Sequence, residues 1–318
     1  IHVHRYGPHI YHTSDKFIWD YINQFAKFNN YINSPIADYK GKIYSLPLNL
    51  NTIQQIWPDA YNPINARNKI NAERLDIKNP QNFEEYCLST MGKTLYEMFF
   101  YGYTKKQWGR DPKELPSFII KRLPIRLTYD DNYYNDPYQG IPIGGYTQIF
   151  ENMLQGIEVR LGEDYFKNRD EYDSLAKKTI YTGPIDKFFE YKYGKLEYRS
   201  LRWENFKLNT DNFQGNPVVN YTDLDIPYTR ILEHKWFDYQ NQKGTIISYE
   251  HPAAYDGSNE PYYPIRDDKN TQVYNKYQEM TKPLKNVYFG GRLATYVYYD
   301  MHQIIAQALK MIQHIDES

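Results

Sequence analysis

Apolar residues fall at helical spacing most clearly near the end of the chain, at Ile304, Ile305, Ala308, Leu309 and Ile312. Residues three and four apart share a helix face, so this stripe predicts a helix beginning at Asp300. A strand over 286–289 and a Gly290-Gly291 turn are expected before it. A second stripe, Phe17, Ile18, Tyr21, Ile22 and Phe25, follows Ser14-Asp15, side chains suited to capping a helix start. Residues 1–7 alternate in the manner of a strand, and 39–48 reads as a hairpin turning at Lys40-Gly41-Lys42. From 51 to about 106 the pattern is helical with polar breaks. Beyond Leu115-Pro116 extended segments recur at 126–129, 196–208, 218–222, 228–233 and 245–249, which predicts an antiparallel sheet. A helix over 146–154 and short strands at 157–161 and 179–182 complete the pattern.

A strand, paired glycines and a closing helix belong to α/β dinucleotide-binding folds, whose ligands lie beyond the carboxyl ends of the strands. The G-x-G-x-x-G turn that usually opens such folds does not occur: Gly7 stands alone, and Gly140, Gly144 and Gly145 have the wrong spacing. At 318 residues the chain is long enough for two or three lobes. Its 38 basic and 39 acidic side chains nearly cancel, which argues against nucleic acid or a membrane surface as the main partner. Tyr contributes 35 residues, each with an apolar body and a hydrogen-bonding tip, although an AT-rich genome produces the same excess. Cys87 is the single cysteine and has no basic neighbour in sequence, so it reads as a core residue in a reducing compartment. No run of about 18 apolar residues exists, hence no membrane insertion is expected. The chain opens on Ile1, with no signal peptide, and is expected to be a fragment.

Four segments could carry chemistry. His4-Arg5-Tyr6-Gly7-Pro8-His9-Ile10-Tyr11-His12 gathers histidines around a Gly-Pro turn. A metal would need further ligands there, so structural histidines or a ligand-facing turn are the competing readings. Gly102-Tyr103-Thr104-Lys105-Lys106-Gln107-Trp108-Gly109 sets aromatic rings beside cations, suited to stacking a base or equally to ending an apolar helix. Arg122 and Arg126 precede Asp130-Asp131-Asn132-Tyr133, and Arg230 sits in a strand that otherwise looks half buried. A guanidinium fork matches phosphate oxygens, while solvated strand positions are the plain alternative. Finally, Tyr263 and the run Gly291-Arg292 to Tyr298-Tyr299-Asp300-Met301 lead into a helix N-terminus. That end could hold an anion or a reduced flavin, and Asp300 could equally be only its cap.

Taken in order, these segments resemble the bacterial UDP-galactopyranose mutase family along nearly the whole chain. The likeness is carried by the Tyr6–Thr13, Gly102–Gly109, Leu115–Arg122, Gln139–Tyr146, Tyr181–Asp186 and Gly290–Met301 motifs. The resemblance implies an isomerase that interconverts UDP-galactopyranose and UDP-galactofuranose through a covalent flavin N5–sugar adduct, with reduced FAD as cofactor. It implies that Arg122 and Arg230 clamp the diphosphate, and that His12 lies close to the flavin ring, a third catalytic position. Tyr133, Tyr263 and Tyr298 resemble the phosphate-binding tyrosines, Tyr103 the uracil-stacking aromatic, Trp108 the tryptophan of a mobile loop, and Asn33 and Asn220 polar contacts to nucleotide or sugar. On the flavin side the correspondence falls on Pro8, His9, Thr182, Gly183, Arg292, Asp300 and Met301. Alanine at Arg122 or Arg230 is expected to cut turnover far more than folding.

The implied architecture is α/β: a three-lobed flavoprotein with a partial Rossmann-like FAD domain, a helical lobe and an antiparallel β-sheet domain. The FAD-domain remainder is placed at 1–30, 147–195 and 284–318, the helical lobe with the mobile loop at 50–115, and the substrate sheet at 31–49, 116–146 and 196–283. The family opens with a phosphate-cradling βαβ segment of about 50 residues, which this sequence lacks. An N-terminally truncated mutase is therefore expected, with a non-catalytic UDP-sugar-binding remnant unable to hold FAD as the alternative. The implied protein is a cytoplasmic homodimer acting on UDP-galactose for cell-surface polysaccharide, with no nucleic-acid partner and no metal.

Overall fold

The structure is a computed structural model that describes residues 1–117, 125–238 and 241–317, with side chains through 315. Contacts divide the chain into two compact units. The first comprises Ile1–Ile10, Asn29–Ile141 and Arg199–Tyr262, and the second Tyr11–Phe28, Pro142–Tyr198 and Tyr263–Ser318.

In the first unit the sheet runs in the order Tyr198–Leu208, Thr245–Ala254, Arg230–Glu233, Val218–Tyr221, Ile36–Tyr39, Lys42–Ser45. The long antiparallel pair at one side is in register from Arg199 opposite Ala254 to Leu208 opposite Thr245. The Ile36–Tyr39 and Lys42–Ser45 hairpin turns at Lys40 and Gly41, both at positive φ (52° and 76°), the geometry that matches strand twist in a two-residue loop. The sheet is mixed rather than antiparallel, because Ile36–Tyr39 runs parallel to Val218–Tyr221. These two strands are separated by the helical region, and only a tight hairpin forces antiparallel pairing.

Helices Leu50–Ile56, Pro63–Glu73 and Phe83–Thr90 begin at Asn49, Asn62 and Asn82, whose side chains accept hydrogen bonds from the first turns. Their apolar faces meet in a core around Ile53, Ala60, Phe83, Cys87 and Leu95. Burial pushes the Cys87 thiol well above its ordinary range, which keeps it protonated and inert.

The second unit holds helix Lys16–Ile22, capped by Asp15 as expected, and helix Met301–Glu317. They pack with Tyr11, Ala26 and Ile149 through Ile18, Ile22, Met301, Ile305 and Leu309. A parallel pair, Thr179–Tyr181 with Val287–Phe289, rests on Phe188 and Ala294.

Several expected elements differ. Residues 1–7 form turns rather than a strand, since Gly7 adopts φ +112° before Pro8, and the strand lies at Tyr11–Thr13. The 157–161 alternation is no strand: Leu161 is 89% exposed, and Gly156 and Gly162 bracket the segment at positive φ. Residues 126–129 are likewise not a strand. Phe17 is 67% exposed, and Ala308 and Ile312 also face solvent, so each stripe buries a narrower face than its apolar residues outline. Gly290-Gly291 leads into a further short helix, Gly291–Thr295.

Candidate functional site

In the first unit, strand register sets Arg230 between Asn220 on one side and Glu250 on the other. Its Nε lies 2.9 Å from each Glu250 oxygen, and Nη2 donates to Oε2. Thr229 Oγ1 donates to the same carboxylate at 2.7 Å. Glu250 is fully buried, and a buried carboxylate is tolerable only when paired and hydrogen-bonded. The pairing fixes the plane of the guanidinium, which prepares its fork for a planar or phosphate anion.

Helix Gly102–Trp108 carries Tyr103 and ends at Trp108, followed by Gly109 in the left-handed conformation. One helix face seats on the turn between Val218–Tyr221 and Arg230–Glu233. Lys106 Nζ donates to the carbonyls of Tyr221 (2.8 Å), Asp223 (2.7 Å) and Tyr228 (2.9 Å). Burial lowers its pKa to about 8. One turn earlier, a Cβ on Gly102 would stand 2.4 Å from the Thr222 carbonyl oxygen, so only glycine permits the approach. Arg199 Nε donates to the Gln107 carbonyl at 2.9 Å, and burial, with Arg110 nearby, lowers the pKa of that guanidinium.

Asn33 and Tyr133 come together: the Tyr133 amide donates to the Asn33 carbonyl at 2.8 Å. Arg126 shapes this loop, donating to the carbonyls of Asn132 and Tyr133. Arg122, the other expected diphosphate arginine, lies outside the described residues.

Pro8 and His9 occupy a turn tied inward by histidine. The His9 amide donates to His4 Nδ1 at 3.2 Å, and the His4 amide donates to His234 Nδ1 at 3.1 Å. His234 Nε2 meets Ser248 Oγ at 2.6 Å, and Ser248 donates to Asn205. Burial, reinforced by neighbouring histidines, lowers His4 to about 3, and burial lowers His234 to about 4, so both are neutral. His4 is thus a structural histidine. Among the described residues no group of three or more His, Cys, Asp or Glu is arranged to hold a metal ion.

The second unit gathers the remaining positions. Thr182 and Gly183 follow strand Thr179–Tyr181, and Gly290-Gly291 follows its parallel neighbour. A Cβ on Gly291 would reach Thr182 Cβ at 3.5 Å, so the two turns are adjacent. The Arg292 guanidinium lies 4.4 Å from the Tyr298 ring centre, and Tyr298 stacks on Tyr263 at 5.7 Å and 22°. The Asp300 carbonyl accepts the first bonds of helix Met301–Glu317, and the Asp300 amide donates to Gln303 at 2.8 Å. His12 stands edge-on to His302 at 5.0 Å, next to that helix start.

Sequence reasoning missed Glu250, the capping role of Lys106 and the Ser248–Asn205 end of the histidine chain. Gly102 and Lys106 are four apart and so share a helix face, a signal present in the sequence. Glu250 required the strand register.

A family model described as UDP-galactopyranose mutase matches residues 98–298. A dTDP-fucopyranose mutase of Escherichia coli is 43% identical over 98% of this chain and 85% of that protein. A probable UDP-galactopyranose mutase of Klebsiella pneumoniae is 44% identical over 97% of this chain and 80% of that protein. The crystal structure of a reduced UDP-galactopyranose mutase shares the fold, with a TM-score of 0.70 at 13% identity over 98% of this chain and 84% of that one. The chain is an α/β protein and an enzyme of the isomerase kind, and it belongs to the UDP-galactopyranose mutase family.

Proposed function

We propose that the chain interconverts the pyranose and furanose forms of a nucleotide-linked sugar, with UDP-galactopyranose as substrate. The observation that carries this is the Arg230–Glu250 pair beside Asn220: a guanidinium locked in orientation by a buried carboxylate. Breaking the anomeric bond leaves negative charge on a diphosphate, and a preset cation stabilises that charge without reorganising. Arg122 is proposed as the second such cation, Tyr133, Tyr263 and Tyr298 as hydroxyl donors to the phosphates, and Tyr103 as the stacking partner of the base. Asn33 and Asn220 supply amide contacts, and Trp108 shields the sugar from water.

Family membership implies a flavin cofactor, which we read as FAD in its reduced form. The donor set of the second unit fits such a group. Helix Met301–Glu317 is 17 residues long, and its first amides carry the positive end of the helix dipole, which favours an anionic ring. His12 stands beside that end, Asp300 and Met301 form it, and Thr182-Gly183 and Arg292 offer amides and a cation for phosphates. Pro8 and His9, braced by His4, are proposed to face the ring. When bound, the flavin would supply the nucleophile for the sugar. The chain's own residues orient sugar and diphosphate, hold the departing charge and exclude water.

The test is to load the protein with FAD, reduce it with dithionite and resolve the products from UDP-galactopyranose by chromatography. Conversion to the furanose is expected. Reduced, flavin-loaded protein that leaves nucleotide sugars unchanged would overturn the reading. The Escherichia coli relative favours a second substrate, dTDP-fucopyranose, since its identity and coverage match those of the Klebsiella protein. The ratio of kcat/KM for the two nucleotide sugars decides between them.

A further inference from the structure

Two contacts, one helical turn apart, fasten helix Gly102–Trp108 to the turn that follows Val218–Tyr221. At Gly102 the helix backbone approaches Thr222 so closely that a methyl group would collide with its carbonyl. At Lys106 an ammonium is gathered by three carbonyls, those of Tyr221, Asp223 and Tyr228, all within 2.9 Å. An apolar side chain could have glued the helix down without the cost of desolvating a charge. It would not have fixed the direction of approach, because dispersion contacts are not directional whereas hydrogen bonds are. Three acceptors around one nitrogen match the three N–H groups of an ammonium and not the planar fork of arginine.

We propose that Lys106 is a positioning residue for nucleotide binding, locking the helix that carries Tyr103 and Trp108 to the turn between the strands that carry Asn220 and Arg230. Residue 103 lies three positions before the lock and residue 108 two positions after it. Asn220 lies one position from the acceptor at 221, and Arg230 two positions from the acceptor at 228. The lysine therefore sets the distance between the base-stacking ring and the diphosphate cation, without touching the ligand itself. This rests on the nucleotide-sugar reading above.

The experiment compares the unsubstituted, flavin-loaded chain with Lys106→Met, Lys106→Arg and Gly102→Ala. It measures UDP affinity by calorimetry, KM and kcat for the nucleotide sugar, and thermal midpoint. Lys106→Met is expected to weaken UDP binding and raise KM by at least about tenfold, the scale of charge-assisted hydrogen bonds lost. kcat at saturating substrate should change by less than about threefold, because binding energy repositions the helix before chemistry. Lys106→Arg, which keeps charge and length, is expected to fall between, and Gly102→Ala to reproduce the KM effect by lifting the helix from the turn. A folded Lys106→Met with unchanged UDP affinity and KM overturns the proposal, as does a loss confined to kcat and thermal midpoint. If Lys106→Met does not fold, Gly102→Ala and Lys106→Arg decide by the same criterion. An unsubstituted protein that binds no UDP defeats the nucleotide reading itself, an outcome distinct from equal binding by protein and variant.

Discussion

The two units set their candidate cations against different partners. In the first, Arg230 is gripped by a buried carboxylate and Lys106 by a ring of backbone carbonyls. In the second, Arg292 lies over the face of Tyr298, itself stacked on Tyr263 and 36% exposed. A carboxylate or carbonyl grip is directional and expensive to break once desolvated. A ring face restrains a guanidinium in one dimension and contributes on the order of 1 kcal/mol. The first arrangement suits charge that must be aimed at a bond being broken. The second suits a cation that follows a cofactor phosphate as it settles.

The sharpest way to break this comparison is at Arg230. Lysine there keeps a positive charge near Glu250 but loses the fork, so kcat/KM is expected to fall about 100- to 1000-fold with the fold intact. Alanine goes further. It leaves Glu250 buried without its cation, which typically destabilises by about 3–5 kcal/mol, so thermal midpoint and turnover should fall together. The sequence alone suggested that alanine would cut turnover far more than folding; the buried partner adds a substantial folding cost to that expectation. Steady-state kinetics beside thermal unfolding separates the two variants, and wild-type turnover in Arg230→Lys would end the preset-cation argument.

In the second unit, Arg292→Ala is expected to weaken FAD retention about tenfold, the loss of one charge-assisted contact to phosphate. Thermal midpoint of the flavin-free protein is expected to fall less than in Arg230→Ala, which strips a fully buried carboxylate of its cation. Flavin titration by fluorescence quenching checks this. A destabilisation as large as that of Arg230→Ala would erase the distinction between the two grips.

A pH prediction follows from the histidine chain of the first unit. His4 and His234 are neutral in the fold, depressed to about 3 and about 4 from 6.5. Between those values and 6.5 the unfolded chain binds more protons, so the fold loses stability as pH falls through that window and gains nothing above it. The thermal midpoint should drop by several degrees from pH 7 to pH 5. In the folded protein His4 stays neutral across that drop, so the His9 amide keeps its acceptor and flavin retention by the folded fraction should change little between pH 7 and pH 5. A double His4→Asn, His234→Asn variant should flatten the profile of the thermal midpoint. An equally steep profile in that variant would place the acid sensitivity elsewhere.

How much of this was written in the sequence follows from the range of each interaction. The Asp15 cap, the Lys40-Gly41 turn and the helical region depend on neighbours a few residues apart and were legible. The parallel pairing of Ile36–Tyr39 with Val218–Tyr221 was not, because nothing local encodes the direction in which distant strands meet. The 157–161 alternation misled for the same reason: period two makes a strand only where a partner edge exists. Among site residues, Arg230 stood out as a lone charge in an apolar strand, but its mate Glu250 needed the register. Lys106 was hidden by Lys105 beside it, an identical residue that instead pairs with Tyr101 and Asp111 at the helix surface.

The smallest expected effect tests whether the Tyr263–Tyr298–Arg292 stack does one job or two. Tyr298→Phe keeps the ring that lies against Arg292 and Tyr263 and removes only the hydroxyl. If that hydroxyl donates to a nucleotide phosphate, KM should rise about fivefold, the scale of a single hydrogen bond to an anion, with FAD affinity unchanged. Tyr298→Ala removes the platform as well and should add the flavin defect of Arg292→Ala. In a double-mutant cycle, Arg292→Ala and Tyr298→Ala should then be non-additive for FAD, while Arg292→Ala and Tyr298→Phe should be additive. Additivity in both cycles would mean that the ring stack does not hold Arg292 for its cofactor, and the contrast between a directional and a ring-face grip would reduce to the first unit alone.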